Sequence, residues 1–200
     1  MKTLFSEAIK IKDGIIYNLE YHQTRIERTL SDFYGTNIHL SDIQIPEYAR
    51  SGLYKCRVVY SDDIESVEFL PYTLRQIKNV KIVVDDNIDY RYKYIDRERL
   101  NTLLGDSGCD EIIIVKNGLV TDASFSNLVF ESKGLLYTPT SYLLPGTKRQ
   151  SLIDRGIIVE REITLANIKA FDRVFFINAM IDIEDVSVEV RDIQLPVTCK

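Results

Sequence analysis

Histidine and cysteine are scarce in this 200-residue chain, which has two of the first and three of the second. Cys56, Cys109 and Cys199 are scattered, and neither His22 nor His39 lies near any of them. No zinc-ligand spacing results, and no metal site is expected. The odd, dispersed thiols fit a reducing compartment, so a cytoplasmic location is expected. No apolar run approaches the ~18 residues that cross a bilayer. The opening MKTLFSEAIKIKDG lacks the uninterrupted apolar core of a secretion signal. Basic residues do not predominate either: the net charge is −5 and the pI about 5.2. A nucleic-acid partner is therefore not expected, because phosphate backbones need a basic face. There is no internal repeat and no low-complexity stretch. The 45% of hydrophobic residues can build one large domain or two small ones.

Leu4–Lys12 reads as a strand, Asp13-Gly14 as a turn and Ile15–Asn18 as its return, which together make an opening hairpin. Glu20–Tyr34 is helical, with Ile26, Leu30 and Phe33 on one face and Gly35 as its stop. His22 and Arg25 are three apart and share a face. Ser41–Ala49 reads as a second short helix despite Pro46. Leu53–Tyr60 and Glu65–Tyr72 are strands in which alternation puts Lys55 and Arg57 on one side. A boundary near residues 73–80 divides the chain into a small α/β subdomain, 1–76, and a larger strand-rich one, 77–200.

In the second part, Val80–Asp86 is a buried strand. A helix begins near Asp96, its candidate N-cap, and has stop signals at Gly105 and Gly108. Glu111–Lys116 is a strand followed by Asn117-Gly118, a strong hairpin signal. Short strands at Leu119–Asp122, Leu128–Glu131 and Leu135–Thr138 precede a loop, Ser141–Arg149, that opens a helix to about Arg155. Strands at Ile157–Ile163 and Arg173–Asn178, a short helix at Leu165–Ala170 and a β-like tail at Ile183–Pro196 complete the chain. Strands with short helices inserted suit a barrel-like sheet domain.

Lys93, lying between two tyrosines at a strand-to-helix junction, is followed by GLVTDASFSNLVF at 118–130, LLPGTKRQSL at 143–152 and INAM at 177–180; YHQTRIERTL at 21–30 precedes it. In this order the motifs resemble the class IV aminotransferases, the fold-type IV pyridoxal-phosphate enzymes. No single motif is specific, but five in order are. The family includes branched-chain and D-amino-acid aminotransferases and 4-amino-4-deoxychorismate lyases. The resemblance implies an α/β (α+β) fold, with a small N-terminal domain, a larger barrel-like C-terminal one and the cofactor between them. It also implies a homodimer acting on a small-molecule amino substrate.

Carried over residue by residue, the resemblance makes Lys93 the cofactor-bearing lysine and the proton shuttle. Asp122 falls where a carboxylate, more often glutamate in the family, pairs with the pyridine nitrogen. Arg25 falls at the phosphate arginine, whose planar fork can donate twice. Leu144 falls at the residue that packs on the ring. Gly146, Thr147 and Lys148 take the place of the more usual Gly-Ile-Thr, and they serve phosphate through the backbone at a helix start. Asn178 and Ala179 match a second phosphate contact. Ser126 and Asn127 shape the loop behind Asp122, with Asn127 structural. His22 orients Arg25 or satisfies a buried group. Charge and strand parity make Lys55 and Arg57 candidates for a substrate carboxylate, against the equal alternative of a solvated face. Cys56 has no activating partner and is given no chemistry. The NAM segment and the compact chain look most like the aminodeoxychorismate lyase branch, which supplies 4-aminobenzoate for folate synthesis. An amino-acid aminotransferase is the alternative, and a non-catalytic relative serving as a partner protein is an alternative of another class.

Overall fold

The computed structural model describes residues 2–196; Cys199 lies outside them. The chain forms two compact units. One runs through Leu74 and also takes in Tyr92–Asp96. The other comprises Arg75–Arg91 and the chain from Arg97 onward. Where the sequence suggested a single cut after residue 76, the segment that carries Lys93 returns to the first unit.

The first unit is a four-stranded sheet covered on one face by a helix. Its strands are β1 (Phe5–Lys12), β2 (Ile15–Ile16), β3 (Leu53–Tyr60) and β4 (Ile64–Pro71), in the order β2-β1-β3-β4. β1 pairs antiparallel with β3 along its whole length, from Phe5 opposite Tyr60 to Lys12 opposite Leu53. Side chains alternate, so Phe5, Glu7, Ile9 and Ile11 share a face with Cys56, Val58 and Tyr60. Helix α1 (Leu19–Phe33) lays Ile26 and Leu30 on that face, and these residues form one core. Glu7 is the one charged residue in β1's inward row. Lys10, Lys55 and Arg57 lie on the opposite face.

Tyr92–Asp96 extends this sheet beside β1. Phe5 bridges Tyr94, the Ser6 N–H donates to the Lys93 carbonyl at 2.9 Å, and the Ile95 N–H donates to Leu4 at 3.0 Å. Tyr92 and Tyr94 pack their rings with Phe5 and Phe33, and the Tyr92 hydroxyl donates to Asp32 at 2.7 Å.

The second unit holds two sheets. β5 (Val80–Val84) runs parallel to β6 (Glu111–Lys116), with α2 (Glu98–Ser107) between them in the chain. β6 turns into antiparallel β7 (Leu119–Ala123). Asn117 and Gly118 both have positive φ, 52° and 78°, as a two-residue hairpin requires. β8 (Asn127–Ser132), β9 (Leu135–Pro139), β10 (Val159–Arg161), β11 (Arg173–Ile177) and β12 (Ser187–Glu189) form the larger sheet, in the order β10-β9-β8-β11-β12. Helix α3 (Thr147–Asp154) places Leu152 in a core with Val129, Ile158, Phe175 and Ile177.

Several expectations change. Ser41–Ala49 is two 3-10 turns, Leu40–Asp42 and Glu47–Ala49, because Pro46 has no N–H and disfavours helix before it. Arg97 directly precedes α2 and makes no side-chain cap bond, one residue beyond the expected N-cap Asp96. The helix runs through Gly105 and stops at Gly108, where φ is 66°. Leu165–Ala170 shortens to a 3-10 turn at Ile168–Ala170, and the β-like tail is β12 followed by a 3-10 turn. Among the described residues, no helix is long and apolar enough to cross a membrane.

Candidate active site

Lys93 is half-buried. Its neighbours Tyr92 and Tyr94 pack into the aromatic core, the Tyr94 N–H donates to the Tyr92 carbonyl at 2.9 Å so that Lys93 sits at the centre of a tight turn, and the Lys93 charge is felt at His22. Arg57 is held by Glu68 across the strand pair at 2.8 Å, and both side chains are well exposed. Lys55 is half-buried.

Behind β1, on the helix side, is a charged cluster. Arg25 on α1 donates from Nε to Glu7 Oε1 at 2.8 Å and from Nη2 to Oε2 at 2.5 Å. His22, one turn earlier, meets Glu7 Oε2 through Nδ1 at 2.6 Å. Glu7 and His22 are fully buried and Arg25 nearly so. Burial opposes ionisation of Glu7, but the Arg25 charge and the His22 bond overcome it and hold the carboxyl at about 2. Burial lowers the His22 pKa, helped by the charges of Arg25 and Lys93 and opposed by Glu7. A neutral His22 facing an ionised carboxylate must donate through Nδ1–H. Glu7 was not singled out from the sequence. Its signal was present: parity with Phe5, Ile9 and Ile11 puts a carboxylate in an apolar row.

The second unit brings three segments together. At the end of β7, Asp122 is buried, and its Oδ1 accepts from Asn127 Nδ2 at 2.8 Å. Its Oδ2 accepts from the Leu143 and Leu144 N–H groups at 3.0 and 2.9 Å. The same Asn127 amide donates to the Leu144 carbonyl at 3.0 Å. Asn127 is thus the brace between two loops, as its structural assignment expected. A Cβ at residue 146 would lie 1.7 Å from Asn127 Oδ1, so only glycine lets the 143–149 loop approach this closely. Gly146 then opens α3 at Thr147, whose first N–H groups have no intrahelical acceptor. The third segment carries Asn178, whose amide donates to the Phe125 carbonyl at 3.2 Å and whose Oδ1 receives Met180 and Ile181 N–H groups. Ala179 lies within that turn.

Two side chains do more than was foreseen. Lys148 is buried and its ammonium is bound by Asp182, so its side chain does not replace the missing threonine hydroxyl. Arg149 is buried, donates to the Pro139 carbonyl at 2.8 Å and to Glu160 at 2.5 Å, and lies under the Tyr142 ring. It braces the strand that leads into the loop.

Asp122 decides what could be held here. Burial pushes its carboxyl up to about 6, against the pull of Leu144, Asn127, Leu143 and the Arg149 charge. No cationic side chain forms an ion pair with it among the described residues. Its Oδ1 accepts one bond here and has capacity for another. The buried Ser126 hydroxyl also has no partner. A ligand with a protonated ring nitrogen and a phosphate fits such a donor set.

The fold is that of the fold-type IV enzymes: a structure from Mycobacterium tuberculosis, a hypothetical aminotransferase in its PLP-bound form, superposes with a TM-score of 0.70 at 17% identity, over 98% of this chain and 84% of that one. The Escherichia coli branched-chain amino acid aminotransferase gives 0.67 at 18%, over 90% and 74%. The sequence profile for amino-transferase class IV matches residues 91–188. An uncharacterized protein of Haemophilus influenzae is 39% identical over 180 residues, 87% of this chain and 96% of its own. A candidate 4-amino-4-deoxychorismate lyase from Haemophilus somnus superposes with a TM-score of 0.78 at 33% identity, over 90% of this chain and 97% of that one. The chain belongs to the class IV aminotransferase family.

Proposed function

We propose that this protein is a pyridoxal-phosphate-dependent lyase that converts 4-amino-4-deoxychorismate to 4-aminobenzoate and pyruvate. The observation that carries the reading is the likeness to the Haemophilus somnus candidate lyase, at 33% identity across nearly the whole of both chains. The aminotransferases it resembles at under 20% identity support the fold alone.

When bound, the cofactor supplies an electron sink for the charge that builds at a deprotonated carbon. Lys93 would hold it covalently until the substrate amine displaces it, and the freed Lys93 amine would then take the proton from the ring carbon that bears the substrate amine. Enolpyruvate, leaving from the neighbouring carbon and taking up a proton to become pyruvate, would leave an aromatic ring. Asp122 keeps the ring nitrogen protonated by charge pairing, and a cation there returns its own pKa toward the ordinary range. Arg25, the N–H groups of Thr147 and Lys148, and the turn at Asn178 and Ala179 take the phosphate. Gly146 lets the 143–149 loop close on Asn127, and Leu144 packs on the ring. Lys55 and Arg57 take substrate carboxylates. The working form is a cytoplasmic homodimer.

The test begins with purified protein incubated with pyridoxal phosphate, reduced with borohydride and mapped by mass. A label at Lys93 is expected, followed by pyruvate release from 4-amino-4-deoxychorismate in a lactate-dehydrogenase-coupled assay. Keto-acid formation from branched-chain or D-amino acids, without pyruvate, would instead establish an aminotransferase. No label at Lys93 would leave a non-catalytic relative.

A further inference from the structure

Two neighbouring residues of β1 govern two different groups of the first unit. The Ser6 N–H holds the backbone of Lys93 along the edge of the sheet. The Glu7 carboxylate, in the inward row of β1, holds Arg25. β1 itself is fixed by continuous pairing with β3, so neither residue can shift without the other.

A guanidinium offers two edges to planar acceptors: the side formed by Nε with one terminal nitrogen, and the end formed by the two terminal nitrogens. Glu7 occupies the Nε–Nη2 side with two bonds at 2.8 and 2.5 Å. A bidentate pair fixes the guanidinium plane as well as its position. The end edge therefore has one direction, set by β1. His22 fills the remaining demand of Glu7 Oε2.

We infer that Glu7 is the positioning residue of the phosphate arginine: it turns the terminal edge of Arg25 to the cofactor phosphate in fixed register with Lys93. The inference rests on the cofactor reading above. Discrimination for the phosphate then comes from aimed donors, since Glu7 already compensates the Arg25 charge. A glutamine at residue 7 presents one oxygen and an N–H group that opposes the guanidinium, so the bidentate lock is lost. An aspartate keeps the charge but falls one methylene short of both nitrogens.

The experiment compares two aldehydes that differ only in the phosphate. Wild-type protein, Glu7→Gln and Glu7→Asp are titrated with pyridoxal phosphate and with pyridoxal, and occupancy is read as borohydride-trapped label on Lys93. The wild type is expected to prefer the phosphorylated aldehyde strongly. Glu7→Gln should lose tenfold or more of that preference while pyridoxal labelling stays within about twofold, and Glu7→Asp should lose several-fold. Pyridoxal labelling at Lys93 doubles as the check on folding, because general damage to the unit lowers both aldehydes together. Unchanged preference in either variant, or an equal loss for both aldehydes, overturns the inference and leaves the cofactor reading standing. A wild type labelled at Lys93 by neither aldehyde overturns both.

Discussion

Each unit buries a carboxylate that accepts three hydrogen bonds, and the two carboxylates behave oppositely. Glu7 receives Arg25 twice and His22 once; Asp122 receives Asn127 and two backbone N–H groups. Glu7 is held at about 2, whereas Asp122 rises to about 6. Equal numbers of bonds therefore do not settle ionisation in a dry site. A full positive charge offsets desolvation, and neutral dipoles offset it only in part. Glu7 is complete within its own unit. Asp122 has no ion-pair partner among the described residues, which suits the pyridinium proposed for it.

The strongest way to break this comparison is to remove the completed pair. Glu7→Ala leaves Arg25 buried without its carboxylate and should cost about 3–5 kcal/mol in urea unfolding. A cost below about 1 kcal/mol would show that the pair is replaceable and that Glu7 is not the centre of its cluster.

The next test uses pH. Glu7 has a depressed pKa, so its contribution is present above the unfolded value of 4.5 and lost as pH falls through about 2. Asp122 has a raised one, so its contribution is present below 3.8 and lost as pH rises through about 6. Without cofactor, stability should fall by on the order of 2–3 kcal/mol across that second window. Asp122→Asn should flatten it, as should saturating pyridoxal phosphate. Thermal melts from pH 4 to 8 would decide, and an identical slope in the variant would remove Asp122 from the account.

A third variant loosens the bracing of Asp122 without touching the carboxylate. Gly146→Ala forces Asn127 to move, which frees one Asp122 oxygen and the Leu144 carbonyl. The expected cost is about 1–3 kcal/mol by chemical denaturation. Arg57→Ala should have the smallest effect, under about 1 kcal/mol, because the Arg57–Glu68 pair is exposed. If that variant nevertheless raises KM tenfold with stability intact, Arg57 reads substrate; an unchanged KM makes it a surface pair.

Much of this was legible in the sequence wherever one local signal decided the outcome. Leu53–Tyr60 and Glu111–Lys116 are strands to the residue, because their apolar alternation or continuity is bounded by clear turn residues. The helix beginning at Leu19 follows from apolar spacing closed by Gly35. Where two local signals conflict, the outcome depends on tertiary structure. Pro46 against a weakly helical stretch gave 3-10 turns, and the segment before α2 pairs through Tyr94 and Ile95 with Leu4 and Phe5, some ninety positions earlier in the chain. Lys93, Arg25 and Asp122 are legible as residues matching motifs in order. Their partners are not, because Glu7 lies 18 residues from Arg25, and Asp182 lies 34 from Lys148. Long-range pairing leaves no periodicity to read.

Lys93 reaches the first unit on a five-residue segment whose chain on either side belongs to the second. Neither unit is therefore a continuous stretch of sequence, and a fragment ending near residue 76 would lack Tyr92 and Tyr94, two of the rings around Phe5. Exchange of gene segments between relatives meets the same constraint. A crossover between residues 12 and 92 joins a β1 from one parent to a lysine segment from the other, so the aromatic contacts and backbone bonds between them must match for the hybrid to inherit a correctly placed amine. Β1 and Tyr92–Asp96 form one unit of inheritance, though some eighty codons lie between them.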